Sequence, residues 1–156
     1  MSRGQYEGVL WKPWQQEILD TVHAAPDRRK IHWIWEPTGH VGKSWLAKYI
    51  ALTEDALLLE NGKKTDLAYI FAEKPRKTVL IDLSRVSAPT EEGKNFLAGA
   101  YSFAENLKNG VLMSSKYESC SNIFAVPHVF FFANWEPDMT VWSQDRYAIK
   151  EIIENF

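Results

Sequence analysis

The feature that most constrains this chain is a glycine-containing loop set between two apolar segments. Residues 30–35 form a short apolar run, Glu36-Pro37-Thr38-Gly39-His40-Val41-Gly42-Lys43-Ser44 interrupts it, and residues 45–51 are apolar again. Read as strand, loop and helix, this is the arrangement with which α/β proteins hold phosphate. Backbone amides wrap phosphate oxygens only where no side chain blocks the approach, and the helix N-terminus behind them adds partial positive charge. Gly39, His40, Val41 and Gly42 are then the cradle. Lys43 reaches the β and γ phosphates of ATP, and Ser44 sets its hydroxyl on the accompanying Mg2+. The strict pattern G-x-x-x-x-G-K-[ST] requires glycine where Pro37 stands, so the loop is a variant. The plainer alternative is a glycine turn ahead of a surface lysine, and the flanking strand and helix weigh against it.

Size and composition narrow the remaining classes. A chain of 156 residues without a glycine-serine or charge-rich divider fits one domain. We take residues 1–10 as a flexible lead-in or linker and residues 11–156 as the folded unit. With 46% apolar residues and seven tryptophans, the composition is that of a packed core rather than a disordered tail. Cys120 has no second cysteine to pair with, which fits a reducing compartment. No signal peptide or membrane-spanning run is legible, so no membrane partner is expected. A formal charge of −2 implies that any contact with nucleic acid is local rather than spread over a basic face.

In chain order, residues 11–23 carry Trp14, Ile18, Leu19 and Val22 at helical spacing, with Pro13 suited to the first turn. Residues 56–60 read as a second strand. Thr65 reads as the N-cap of a short helix facing Leu67, Ala68, Ile70 and Phe71 inward. Residues 78–82 are a β-prone run that delivers Asp82 at its C-terminal end, where open parallel sheets place chemistry. Asp82 there binds Mg2+ beside Ser44, or merely caps a turn. ATPases of this kind often carry a second acid next in sequence to polarise water, but here the neighbour is Leu83. Glu36, Glu60, Glu91 and Glu92 are the possible substitutes.

Residues 97–107 have helical periodicity closed by Asn109-Gly110. Residues 111–114 and 122–126 pair as strands around Ser115-Lys116-Tyr117-Glu118-Ser119. Lysine neutralises phosphate and tyrosine stacks on a base, which suits single-stranded nucleic acid; an ordinary solvated hairpin is the alternative. Residues 128–133 are a buried strand ending in Asn134, either an amide that orients water at the γ phosphate or a turn former. Arg146 either stabilises transition-state charge or pairs with Asp145 on the surface. A short helix containing Ile149, Ile152 and Ile153 is expected to end the chain. His32 and His128 read as core or edge side chains, and Trp33, Trp35 and Trp45 as packing.

These motifs, in this order, resemble the helicase domain of replication-initiation (Rep) proteins of small circular single-stranded DNA viruses, the nanovirus and circovirus kind, within helicase superfamily 3. The stretch from Ile34 to Ser44 looks like Walker A, Val79-Leu80-Ile81-Asp82-Leu83-Ser84-Arg85 like Walker B, and His128 to Pro137 like motif C, with Asn134 as sensor. Lys108-Asn109-Gly110 with the following hairpin is similar to the region that faces DNA in the ring channel, which adds Lys108 to Lys116 and Tyr117 as DNA contacts. Ser143-Gln144-Asp145-Arg146 resembles the segment that supplies an arginine to a neighbour's ATP. In nanovirus-type loops one residue longer, Glu36 takes the place where the family usually has glycine.

The resemblance implies an α/β P-loop NTPase of the AAA+ type, a parallel sheet flanked by helices with a DNA-facing β-hairpin. It further implies a homo-oligomeric ring, hexameric in the family's manner, that hydrolyses ATP with Lys43, Asp82, Asn134 and Arg146 and moves on single-stranded DNA. It also implies a separate endonuclease domain in the parent protein and the host nucleus as location. A small-molecule phosphotransferase and a nucleotide-gated assembly module are the rival classes.

Overall fold

A computed structural model of the chain describes residues 3–90, 94–113 and 121–153. Five runs rich in β-branched, leucine and aromatic residues become strands β1 (Ile31–Trp35), β2 (Ala56–Leu59), β3 (Thr78–Asp82), β6 (His128–Ala133) and β7 (Tyr147–Glu151). They form one parallel sheet in the order β2-β3-β6-β1-β7. A sheet covered on both faces needs strands that are apolar throughout, and β6 is buried at every position. Its side chains alternate between two cores. Val129, Phe131 and Ala133 join Trp33, Val79 and Ile81 beneath helices α3 (Lys64–Glu73) and α4 (Ala98–Asn109). Phe130 and Phe132 join Ile34 and Leu80 beneath α1 (Pro13–His23) and α2 (Lys43–Thr53). The result is an α/β fold of the P-loop NTPase kind, as the sequence indicates.

Two further strands, β4 (Val111–Met113) and β5 (Ser121–Ile123), pair antiparallel with Val111 opposite Ile123. They form the base of the expected hairpin. Its tip, with Ser115, Lys116 and Tyr117, lies outside the described residues, as do Glu91 and Glu92. Gly110, at φ 77°, closes α4 in the left-handed conformation that glycine tolerates.

Several local expectations are corrected. No helix ends the described chain: one 3-10 turn, Gln144–Arg146, leads into β7, which pairs Tyr147 with Ile31. Only Ile152 of the three isoleucines turns inward, while Ile149 and Ile153 lie exposed along the sheet edge. Helix α3 begins at Lys64 with Lys63 as its N-cap rather than Thr65, and Ile70 is 44% exposed rather than inward. At the other end, Arg3–Tyr6 forms a 3-10 turn whose Tyr6 is buried and donates its hydroxyl to the Trp45 carbonyl (3.3 Å). Trp11, Trp45 and Tyr49 surround that ring.

Candidate phosphate-binding site

Because all five strands run the same way, β1, β3 and β6 deliver their following residues to one edge of the sheet. There β1 opens into the glycine loop, β3 ends on Asp82, and β6 is followed by Asn134. Gly39 (φ 78°), His40 (φ 62°) and Gly42 (φ 103°) all take positive φ. The loop thereby turns its amides inward, and His40 bears the cost of about 1 kcal/mol that a side chain incurs in that region. Helix α2 starts directly at Lys43. Gln15 of α1 supports the loop from behind: its Nε2 would lie 3.0 Å from any Cβ added at Gly42, so a side chain there crowds Gln15, and φ 103° strains any residue but glycine. The same side chain accepts the Lys12 amide through Oε1 (2.9 Å).

The donors of the loop converge on one anion, and that anion is Glu36. Its Oε2 accepts the Thr38 amide and the Thr38 hydroxyl, each at 2.7 Å. Its Oε1 accepts the Gly39 amide (2.6 Å) and the Lys43 ammonium (2.5 Å). Both members of the ion pair are buried, Glu36 at 2% exposure and Lys43 at 3%. Burial alone would push the Glu36 carboxyl up. The bonds from Lys43 and Thr38 outweigh it and hold the group at about 2.

Beside this pair, Asp82 and two serines form a tight polar group. Ser44 donates its hydroxyl to Asp82 Oδ2 (2.8 Å), while the amide (3.0 Å) and hydroxyl (2.5 Å) of Ser84 both bond to Oδ1. The Ser44 and Ser84 hydroxyls are 2.9 Å apart. Asn134 donates Nδ2 to the Ser84 carbonyl (2.8 Å), leaving its buried Oδ1 without a partner among the described residues. Leu83 points into the core with no exposure, its amide bonded to the Phe132 carbonyl (2.7 Å). A cleft of 470 Å³ over the loop is lined by Gly39, Lys43, Ser44, Ser84, Arg85 and Asn134. A larger hollow of 1020 Å³ shares Ser44 and Arg85 with it, and Asp82, Glu60 and Lys48 also line it. The larger volume lies beside the loop rather than over it, so the loop's donors, not cavity size, locate the site.

The donor set fits a polyphosphate. Two loop amides and a lysine at the start of α2 face one anionic position, and Asn134 lines the same cleft. Among the described residues no group of three or more His, Cys, Asp or Glu could hold a metal ion. Ser44 and Asp82 supply only part of a magnesium shell, and Mg2+ usually completes such a shell with water and phosphate oxygens.

Two expected site residues stand elsewhere. Lys108, expected to touch DNA, is 4% exposed and donates to the carbonyls of Asp27 (2.6 Å) and Pro127 (2.7 Å). Its ammonium is held inside the fold rather than at the surface. Burial lowers its pKa to about 8. Arg146 lies just before β7, at the sheet edge opposite the loop. It too is buried, donating to Asn109 Oδ1 (2.7 Å) with Glu105 at 3.6 Å. The surface partner of Asp145 is Arg29 instead (2.8 Å). Sequence reasoning gave no role to Ser84, Arg85 or Gln15. The signal for Ser84 was available, because a serine two residues after a strand-ending aspartate commonly bonds back to it.

Fold and loop together define an α/β protein of the P-loop NTPase class. No family model matches the chain. It is 39% identical over 153 residues to Para-Rep C7 of Faba bean necrotic yellows C7 alphasatellite, covering 92% of this chain and 50% of that protein. It is 38% identical over 144 residues to Para-Rep C10 of Milk vetch dwarf C10 alphasatellite, covering 88% and 47%. The master replication protein of Milk vetch dwarf virus (isolate N) is 37% identical over 135 residues, covering 86% and 43%. Over this region the chain belongs with the Rep-type replication proteins of nanoviruses and their alphasatellites, and it spans about half the length of the curated relatives it matches.

Proposed function

We propose that this chain is the ATP-dependent helicase part of a viral rolling-circle replication protein. The observation that carries the reading is the convergence of the Thr38 and Gly39 amides and Lys43 on one anionic position beside the Ser44–Asp82 pair. In this reading the β and γ phosphates of ATP take that position, Lys43 neutralises them, and Ser44 with Asp82 holds Mg2+, which draws charge from the phosphates. Asn134 orients the attacking water with its free Oδ1. Single-stranded DNA is the track, met by Lys116 and Tyr117, and a homo-oligomeric ring in the host nucleus is the working form.

An arginine entering from the neighbouring subunit completes the site. Arg146 fills that role only if assembly frees its guanidinium from Asn109 and Glu105. A second reading, a nucleotide-gated assembly module that hydrolyses little, is favoured by the burial of Leu83 where a water-polarising acid is usual.

Steady-state phosphate release from ATP with Mg2+, across protein concentrations and with or without single-stranded DNA, separates the two. Specific activity that rises with concentration and with DNA, and is abolished in Lys43→Ala, is the expected result. ATP-dependent assembly without phosphate release selects the second reading.

A further inference from the structure

The Glu36 carboxylate stands where a phosphate is expected. It draws on three donors of the loop that a phosphate would also use, the Thr38 amide, the Gly39 amide and the Lys43 ammonium, with the Thr38 hydroxyl in addition. Carboxylate and phosphate are both oxyanions that accept several N–H bonds at once, so one substitutes for the other in such a cradle. The Glu36–Lys43 pair is buried on both sides. Glu36 also occupies the junction between β1 and the loop, its amide bonded to the Ala133 carbonyl (3.4 Å), so its backbone is tied to the sheet while its side chain reaches forward.

We propose that Glu36 is an internal ligand of the phosphate site, competing with the nucleotide for Lys43 and the loop amides, so that ligand binding requires its carboxylate to leave. This rests on the nucleotide reading above and adds a determinant of affinity to it. Two anions cannot share one ammonium and two amides without repulsion, and the displaced carboxylate must find other partners or water. Glu36 therefore weakens the binding of any polyphosphate, whatever base is attached. It also keeps Lys43 neutralised and the loop ordered when no ligand is present.

Titration calorimetry with ADP and with inorganic pyrophosphate tests this on the unaltered chain, Glu36→Gln, Glu36→Gly and Lys43→Ala. Glu36→Gln keeps shape and removes the competing charge, so both probes should bind about ten- to a hundredfold more tightly. Equal or weaker binding by folded Glu36→Gln and Glu36→Gly, with the unaltered chain binding and Lys43→Ala not binding, overturns this inference and leaves the nucleotide site standing. Absence of binding by all four overturns both. Should the substitutions unfold the chain, the carboxyl carbon resonance of Glu36 in the unaltered chain decides. It should shift as pyrophosphate saturates the site, and an unmoved resonance in the bound state overturns the proposal.

Discussion

The two edges of the sheet carry similar side chains and use them in opposite ways. At the edge where the strands end, Lys43 is buried against a side-chain carboxylate beside an open cleft. At the edge where the strands begin, Lys108 is equally buried but rests on two main-chain carbonyls, and Arg146 beside it holds Asn109. A carbonyl at the end of a strand or turn cannot rotate away, so Lys108 is committed to structure. A glutamate side chain can swing, so Lys43 is only provisionally occupied. The lesson is that a buried cation is classified by whether its partner can leave, not by its own burial.

The strongest way to break this contrast is to remove each lysine in turn. Lys43→Ala should eliminate measurable ADP binding, while Lys108→Met should leave ADP affinity unchanged; calorimetry that finds both weakened would erase the distinction. Next in size is the acid response of the loop. The Glu36 carboxyl lies at about 2 in the fold against an ordinary 4.5. Its contribution is therefore present above pH 4.5 and lost as pH falls from there toward 2, up to about 3 kcal/mol. Urea unfolding across that range should lose this slope in Glu36→Gln.

At the opposite edge the sign reverses. The Lys108 ammonium, lowered to about 8 from 10.5, gives up its proton earlier in the fold than in the unfolded chain. Stability should therefore rise between pH 8 and 10.5, and that rise should vanish in Lys108→Met. The same variant should cost about 2 kcal/mol at neutral pH, because two buried carbonyls lose their donor. Smallest is Asn134→Ala, which removes one bond to the Ser84 carbonyl and one unsatisfied oxygen together. A loss below about 1 kcal/mol in thermal unfolding is expected.

How far the sequence revealed all this depends on how local each signal was. Strands β3 and β6 occupy the spans read from their apolar runs, because burial on both faces forces a continuous pattern. The last strand was misread because Ile149, Ile152 and Ile153 have helical spacing, while the partner that makes them a strand, β1, lies more than a hundred residues earlier. The glycine loop announced phosphate chemistry through its spacing. That Glu36 would seat itself in the loop was not legible, since the path of the six residues between them decides whether an acid meets Lys43 or faces water. Lys108 illustrates the converse: its partner Asp27 is distant in sequence, and a motif match alone placed it on the surface.

The aromatic cluster over α2 has an optical consequence. Trp45 follows Ser44 directly, lines the cleft over the loop, and packs with Tyr6 at 4.9 Å between ring centroids. Trp33 and Trp142, by contrast, are sealed in the core. Indole emission responds to nearby charge and solvent. Anything that enters or leaves the loop should therefore alter the emission of Trp45 while that of Trp33 and Trp142 holds, so the chain can report its own occupancy without a dye.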